Sequence, residues 1–233
     1  LLMGTVAQTL VPVRRKMEFR ADRDLAPVSL LAVVPNLLVA HPSLGVKSAH
    51  ELLALARSKP ETLTFGTSGA GTAAHLAAEL FNITAGTRIV VVHYQGGSTA
   101  VLPDLLAGRI NLAFNVAATL APHVEKGSLV ALGLAQPART RSLSSVPTMA
   151  EQGMPGFDAG VWIALFAPPG TPAPILDLLA ATSTEAVRDA AAVKTLDAQG
   201  IDALGGTPAE LAGFVAKDID KWSKVVAGAG LYE

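Results

Sequence analysis

Residues 65–81 read FGTSGAGTAAHLAAELF. A β-like approach, Leu63-Thr64-Phe65, passes through a glycine-rich turn into a helical pattern, and four chemistries fit such a junction. Gly69-Ala70-Gly71-Thr72-Ala73-Ala74 matches the dinucleotide turn G-x-G-x-x-A. That fingerprint needs an acid about 20 residues on, at the end of the next strand, for the ribose hydroxyls; His93-Tyr94-Gln95 stands there instead. Gly66 and Gly71 have the spacing of a P-loop, with Thr72 where the phosphate-binding lysine belongs, which removes a main phosphate contact. Gly66-Thr67-Ser68-Gly69-Ala70 approaches the nucleophile elbow G-x-S-x-G. In a serine hydrolase of α/β type Ser68 would attack, and Asp104 and His123 follow in the required order, although no oxyanion loop precedes them. The fourth chemistry is a non-covalent anion site. A helix N-terminus offers unpaired N–H groups and the positive end of its dipole, Gly69, Ala70 and Gly71 let backbone approach a ligand, and Ser68 and Thr72 add hydroxyls.

A second junction has the same design. HYQGGSTA, residues 93–100, ends a strand in Tyr94-Gln95-Gly96-Gly97 and opens a helix. Neither turn holds a lysine or arginine, which suits a carboxylate better than a polyphosphate. On pattern alone, two ordinary well-capped βα turns explain the residues equally well. His75 lies one turn into its helix and four residues before Glu79; five histidines without H-x-x-x-H spacing give no expectation of a metal site. Asn115 ends a buried strand, where α/β folds place ligands, or caps the next helix. Trp162 lines a cleft or fills a core.

The elements that must hold these residues alternate. Strands are expected at Leu30–Val34, Leu37–Ala40, Thr62–Gly66, Arg88–His93, Ile110–Asn115, Val130–Ala135 and Val161–Ala167, apolar with little alternation, as in strands buried on both faces. Helical patterns run over Ala49–Lys59, Thr72–Ala85, Ser98–Ala107 and Ala118–Lys126. Ser48/Glu51 and Thr148/Glu151 read as capping boxes. Beyond PPGTPAP, helices are expected at Ile175–Ala191, Val193–Gln199 and Pro208–Ala227, the last with Thr207 as N-cap, a proline at N1 and Glu210 at N3. This is an α/β grammar with a helical C-terminal part.

Composition narrows the function. Of 233 residues, 50% are apolar and 16% charged, so one large domain or two small ones can be filled. A net charge of −1 argues against nucleic acid as a partner. The absence of cysteine excludes disulfides, zinc–thiolate centres and cysteine nucleophiles, and fits an oxidising compartment. The uncharged stretches Leu25–Val46 and Ala159–Leu176 are interrupted by prolines and polar residues and are not membrane spans. The opening LLMGT lacks the marks of a signal peptide.

In order along the chain, FGTSGAGTAAHLAAELF resembles the SxGxGxxxHLxxExF segment of the Bug-type receptors of tripartite tricarboxylate transporters. VHYQGG is similar to their VPYKG element, and LPDLLAGRINLAFN to their DLLGGQVDLMF run. SVPTMAEQGMPGFDAGVWIALFAPPGTP resembles VPTxxExGxPGxxxxxWxGxxAPxGTP, and GGTPAELAGFVAKDIDKWSKVVAGAG their C-terminal helix. The stretch DLAPVSLLAVVPNLLVAHPSLGVKSAHELLALAR follows their crossover region.

The resemblance implies a two-lobed periplasmic binding protein, type II-like, each lobe a mostly parallel sheet with flanking helices. Lobe two is expected at 33–156 and lobe one at 1–32 and 157–233. It implies a monomeric extracytoplasmic receptor without cofactor or catalysis, which captures a small carboxylate in the cleft for membrane permease subunits. The ligand residues it implies are Ser68, Gly69, Ala70, Gly71, Thr72 and His75 in one loop and Tyr94, Gln95, Gly96 and Gly97 in a second, with Gly4 and Thr5 bordering the cleft from lobe one. Gln95 and Asn111 replace a usual lysine and aspartate. LLMGT aligns with an internal strand of lobe one, so a truncated lobe one, without the family's PGGxxD loop, is expected.

Overall fold

A computed structural model describes residues 1–141 and 143–232. The chain divides into two compact units, 1–34 with 161–233, and 35–160. The first contains β1 (Leu2–Thr5), α1 (Ala7–Arg15), α2 (Ala21–Asp24) and β2 (Ala26–Val34). The second runs through β3 (Asn36–Ala40), α3 (Ala49–Ser58), β4 (Thr64–Thr67), α4 (Ala73–Ala85), β5 (Val90–His93), α5 (Ser98–Leu106), β6 (Leu112–Val116), α6 (Ala117–Glu125) and β7 (Val130–Leu134). The first unit resumes with β8 (Val161–Ala167), α7 (Ala173–Arg188), α8 (Ala190–Ala198), β9 (Asp202–Ala203) and α9 (Pro208–Ala229). Among the described residues no helix is long and apolar enough to cross a membrane; Leu25–Val46 is mostly the strands β2 and β3.

The sheet of unit 2 has the order β5-β4-β6-β3-β7. β4 pairs parallel with β5 and β6, whereas β3 pairs antiparallel with β6 and β7. β3 is buried along its whole length, as a central strand covered on both faces must be. Alternation along β4 sorts the two layers. Phe65 faces an aromatic cluster, with centroids 5.5 Å from Phe81 and 5.6 Å from Phe114, and Phe114 stacks on Phe157 at 5.8 Å. Gly66 faces the other layer, where Val101, Leu105 and Ile110 pack with Leu37, Val39 and Leu120. A Cβ on Gly66 would lie 2.2 Å from Ile110 Cδ1 and 2.7 Å from Val101 Cγ1, so this glycine serves close packing.

The sheet of unit 1 has the order β1-β8-β2-β9, and every pairing in it is antiparallel. The expected mostly parallel sheet is therefore corrected for this unit. The reason is connectivity: β2 leads the chain out to unit 2 and β8 brings it back alongside, so neighbours run in opposite senses. β1 is an edge strand with Leu2 and Met3 exposed. Pro27 lies within β2, next to a register shift between Pro27 and Ser29, the kind of irregularity at which a strand tolerates proline.

α9 carries the capping box formed by Thr207 and Glu210 and buries Leu211, Val215, Asp218, Trp222 and Val226 on one face. The expected helix Ile175–Ala191 ends at Arg188, because the Asp189 carboxylate accepts from Ala191 and Ala192 N–H and starts α8 anew. α1 has no counterpart in the sequence reading; Pro12 in its interior breaks the usual helical signature.

Candidate ligand-binding site

The parallel strands β5, β4 and β6 end level with one another. Phe65 is in register with Val91 and Leu112, and Thr67 with His93. Their C-terminal ends therefore carry the turn 68–72, the turn 94–97 and Asn115 along one edge of the sheet, where open α/β sheets bind ligands. The Tyr94 N–H donates to Thr67 O at 2.9 Å. A Cβ on Gly69 would come within 3.8 Å of Tyr94 O, so the two turns lie side by side.

Local chemistry shapes the first turn. Gly69 has φ +123°, a conformation side chains disfavour. Thr72 is the N-cap of α4: its hydroxyl donates to Gly69 O at 2.8 Å and accepts the His75 N–H at 3.3 Å. The Gly71 N–H donates to His75 Nδ1 at 2.8 Å. The N–H groups of Gly69, Ala70, Ala73 and Ala74 have no acceptor among the described residues. Ser68 is half-buried, and its hydroxyl has no hydrogen bond among the described residues.

In the second turn Gly97 is the N-cap of α5, with φ +81° and no side-chain cap. The Ala100 N–H folds back to Gly97 O at 3.2 Å, and no side chain caps the helix start before it. Gln95, Gly96 and Gly97 are exposed. At the third strand end, Asn115 Oδ1 accepts the Val116 N–H at 2.8 Å, which leaves its Nδ2 donors to the edge.

Several expected site residues have other duties. The Tyr94 hydroxyl turns away and donates to Asp104 Oδ2 at 2.7 Å, while Arg109 holds Oδ1 at 2.6 Å. Burial and then this bond push the Tyr94 phenol up, and the same hydroxyl, with Arg109, holds the Asp104 carboxyl below its ordinary range. Only the Tyr94 backbone belongs to the turn. His75 is buried, with its Nδ1 committed to Gly71 and its Nε2 3.6 Å from Glu79; it braces the turn from beneath. The Thr72 hydroxyl is likewise committed to the cap.

In unit 1, Gly4 and Thr5 end β1. A Cβ on Gly4 would lie 2.6 Å from the Phe166 ring, and the Thr5 N–H donates to Gln8 Oε1 where α1 begins. Trp162, expected at a cleft, is 1% exposed and donates its indole N–H to Asp218 Oδ2 at 3.0 Å; it is a core residue. The alternative Ser68–Asp104–His123 triad is not assembled, since Asp104 is engaged by Tyr94 and Arg109 and no base among the described residues bonds Ser68.

Two residues at the same edge went unread. β7 runs in the same sense as β6, each being antiparallel to β3. Asn36, at the start of β3, and Gln136, just past β7, therefore reach the edge that carries the turns. Asn36 Nδ2 donates to Ala159 O at 2.7 Å. Gln136 Nε2 donates to Ala138 O at 3.1 Å, and its buried Oε1 has no partner among the described residues. The available signal was a lone amide at the boundary of each apolar run.

The family described as tripartite tricarboxylate transporter family receptor matches residues 1–231. The protein BugT of Bordetella pertussis is 35% identical over 225 residues, which is 97% of this chain and 68% of BugT, so the chain spans about two thirds of that relative. The structure of R. palustris Rpa4515 with adipate is similar at TM-score 0.78 and 33% identity, covering 98% of this chain and 77% of that one. MatC of Rhodopseudomonas palustris with bound malate is similar at TM-score 0.72 and 28% identity, covering 96% and 78%. The ordered motifs, the two α/β units and these likenesses agree: the chain belongs to the Bug-type receptors of tripartite tricarboxylate transporters, a family of solute-binding receptors and not of enzymes.

Proposed function

We propose that this chain is a periplasmic receptor that captures a small dicarboxylate at the turn edge of unit 2 and presents it to the permease of a tripartite tricarboxylate transporter. The observation that carries this reading is the set of open donors on adjoining turns. It comprises the Ser68 hydroxyl, the uncommitted amides of Gly69, Ala70, Ala73 and Ala74, and the uncapped start of α5. Neutral donors and helix starts suit one or two carboxylates, whose charge the helix dipoles stabilise. The adipate and malate of the two similar structures support the ligand class.

The test is isothermal titration of the chain at pH 7.5 with adipate, malate and neutral diol analogues. A carboxylate should bind and the diols should not. Ser68→Ala should weaken binding by about 1.5–3 kcal/mol, the worth of one charge-assisted hydrogen bond. Equal affinity of Ser68→Ala and wild type would remove Ser68 from the site.

A further inference from the structure

Beside the turn the buried His75 meets the exposed His93. His75 on α4 and His93 at the end of β5 meet edge to face, with ring centroids 4.5 Å apart. Each holds one end of the glycine turn. His93 Nδ1 shares a hydrogen bond with the Thr67 hydroxyl at 2.8 Å, where β4 ends. His75 Nδ1 accepts the Gly71 N–H at 2.8 Å, where α4 begins.

The His75 contact fixes its protonation. A nitrogen that accepts a backbone N–H carries no proton, so the ring is neutral with its hydrogen on Nε2, toward Glu79 Oε1 at 3.6 Å. We propose that His75, packed on His93, forms a proton-sensitive clasp on the 68–72 turn, such that proton uptake at His75 frees the Gly71 N–H, loosens the turn and weakens ligand capture. The proposal rests on the reading that this turn binds the ligand.

The physics of the pair makes the clasp responsive. An imidazolium has two donors and no acceptor, so a charged His75 presents N–H to N–H at Gly71 and the bond is lost. Because His93 stays neutral longer, its ring does not oppose a charge on His75. The titratable groups acting on His93 are His75, which disfavours its charge, and Glu79, which favours it. Burial and His75 together hold the His93 imidazole below its ordinary value. The clasp is therefore closed while His75 Nδ1 is free of a proton and opens when it takes one.

Two measurements test this on the chain itself. The first needs no ligand: nitrogen-15 NMR of the imidazoles, read together with the Gly71 amide from pH 7.5 down to 5. His75 should carry its proton on Nε2 at pH 7.5, and the Gly71 amide proton should shift in step with the imidazole titration. A proton on Nδ1 at pH 7.5, or a Gly71 amide indifferent to the titration, overturns the clasp.

The second measurement compares adipate affinity of wild type and His75→Asn at pH 7.5 and 6. The asparagine Oδ1 can accept from Gly71 without titrating. Comparing the two proteins at each pH cancels the titration of adipate. Wild type should lose on the order of fivefold more affinity than the variant between the two pH values, the worth of about one hydrogen bond. Equal losses overturn the proposal. If no carboxylate binds at pH 7.5, the ligand reading fails separately, and the Gly71 titration alone decides the clasp.

Discussion

Asp218 is the residue whose removal should damage unit 1 most for its size. It lies on the apolar face of α9, 3% exposed. Its Oδ2 accepts from the Thr9 hydroxyl at 2.6 Å and the Trp162 indole at 3.0 Å, and its Oδ1 lies 2.8 Å from Lys221 Nζ. One carboxylate thus joins α1, β8 and α9. Replacing it by alanine strands the Trp162 indole N–H, which is 1% exposed, whereas the Thr9 hydroxyl keeps Val6 O at 2.9 Å as an acceptor. A stranded buried donor costs about 1–3 kcal/mol. Lys221 is less buried and can turn to water, so it adds little. With the loss of the charge-assisted bond from Thr9 added, Asp218→Ala should cost about 2–4 kcal/mol. Asp218→Asn keeps an oxygen for both donors and loses the charge facing Lys221, so about 1–2 kcal/mol is expected. The assay is urea unfolding followed by tryptophan fluorescence. Both tryptophans of the chain, Trp162 and Trp222, lie in unit 1, so the signal reports that unit alone. A cost below about 1 kcal/mol for Asp218→Ala, or equal costs for the two variants, would show that the Trp162 indole finds another acceptor and that the network reasoning is wrong.

Other outcomes are as direct. Gly66→Ala should destabilise unit 2 by about 1–3 kcal/mol, because the new Cβ meets Ile110 and Val101 and those side chains must leave their rotamers; circular dichroism in urea measures it, and an unchanged midpoint would show that the layer yields freely. Thr207→Ala should cost about 1 kcal/mol by opening the capping box of α9, read by the same tryptophan signal. The His93 imidazole is held below its ordinary value, so its neutral form contributes stability that is fully present above about pH 6.5 and is lost as pH falls through the lowered value. His93→Gln should flatten that acid decline of unit 2, and an equal decline in both proteins would assign it to other groups. Amide exchange should be slowest in β3, whose residues are buried throughout, and fast in the edge strand β1; comparable protection would contradict the edge assignment.

The features legible in the sequence were those whose causes lie within a few residues. The bounds of β8 and the start of α9 coincide with the sequence reading, because a short apolar run and a Thr-Pro-x-Glu cap each carry their own signal. The glycine turns were legible for the same reason. Side-chain duties set by distant partners were not. Asp218 could be placed on the apolar face of α9 by spacing, but Thr9 lies 209 residues away in sequence and Trp162 56 away, so their convergence was hidden. The Tyr94 hydroxyl is drawn off by Asp104 on the following helix, and His75 turns its acceptor back to Gly71. Strand sense in unit 1 depends on which strand fills the gap between β1 and β2, and the filler arrives from the far end of the chain.

That arrangement orders events during synthesis. β8 occupies the position between β1 and β2, yet it leaves the ribosome only after the whole of Pro35–Gly160. Until then β1 and β2 have no common neighbour and stay as two separate ribbons. The inserted unit is contiguous and can complete its own sheet while the chain is still being made. Its completion brings the outgoing and returning segments together: the side chain of Asn36 bonds Ala159 O, and Val34 then pairs with Val161. Closing that long loop costs entropy once, inside the inserted unit, and β8 is delivered already aimed at its slot. Folding in this chain should therefore proceed from the inside outward. A substitution that slows the inserted unit should lengthen the time for which the outer ribbons stay open to chaperones, proteases and one another.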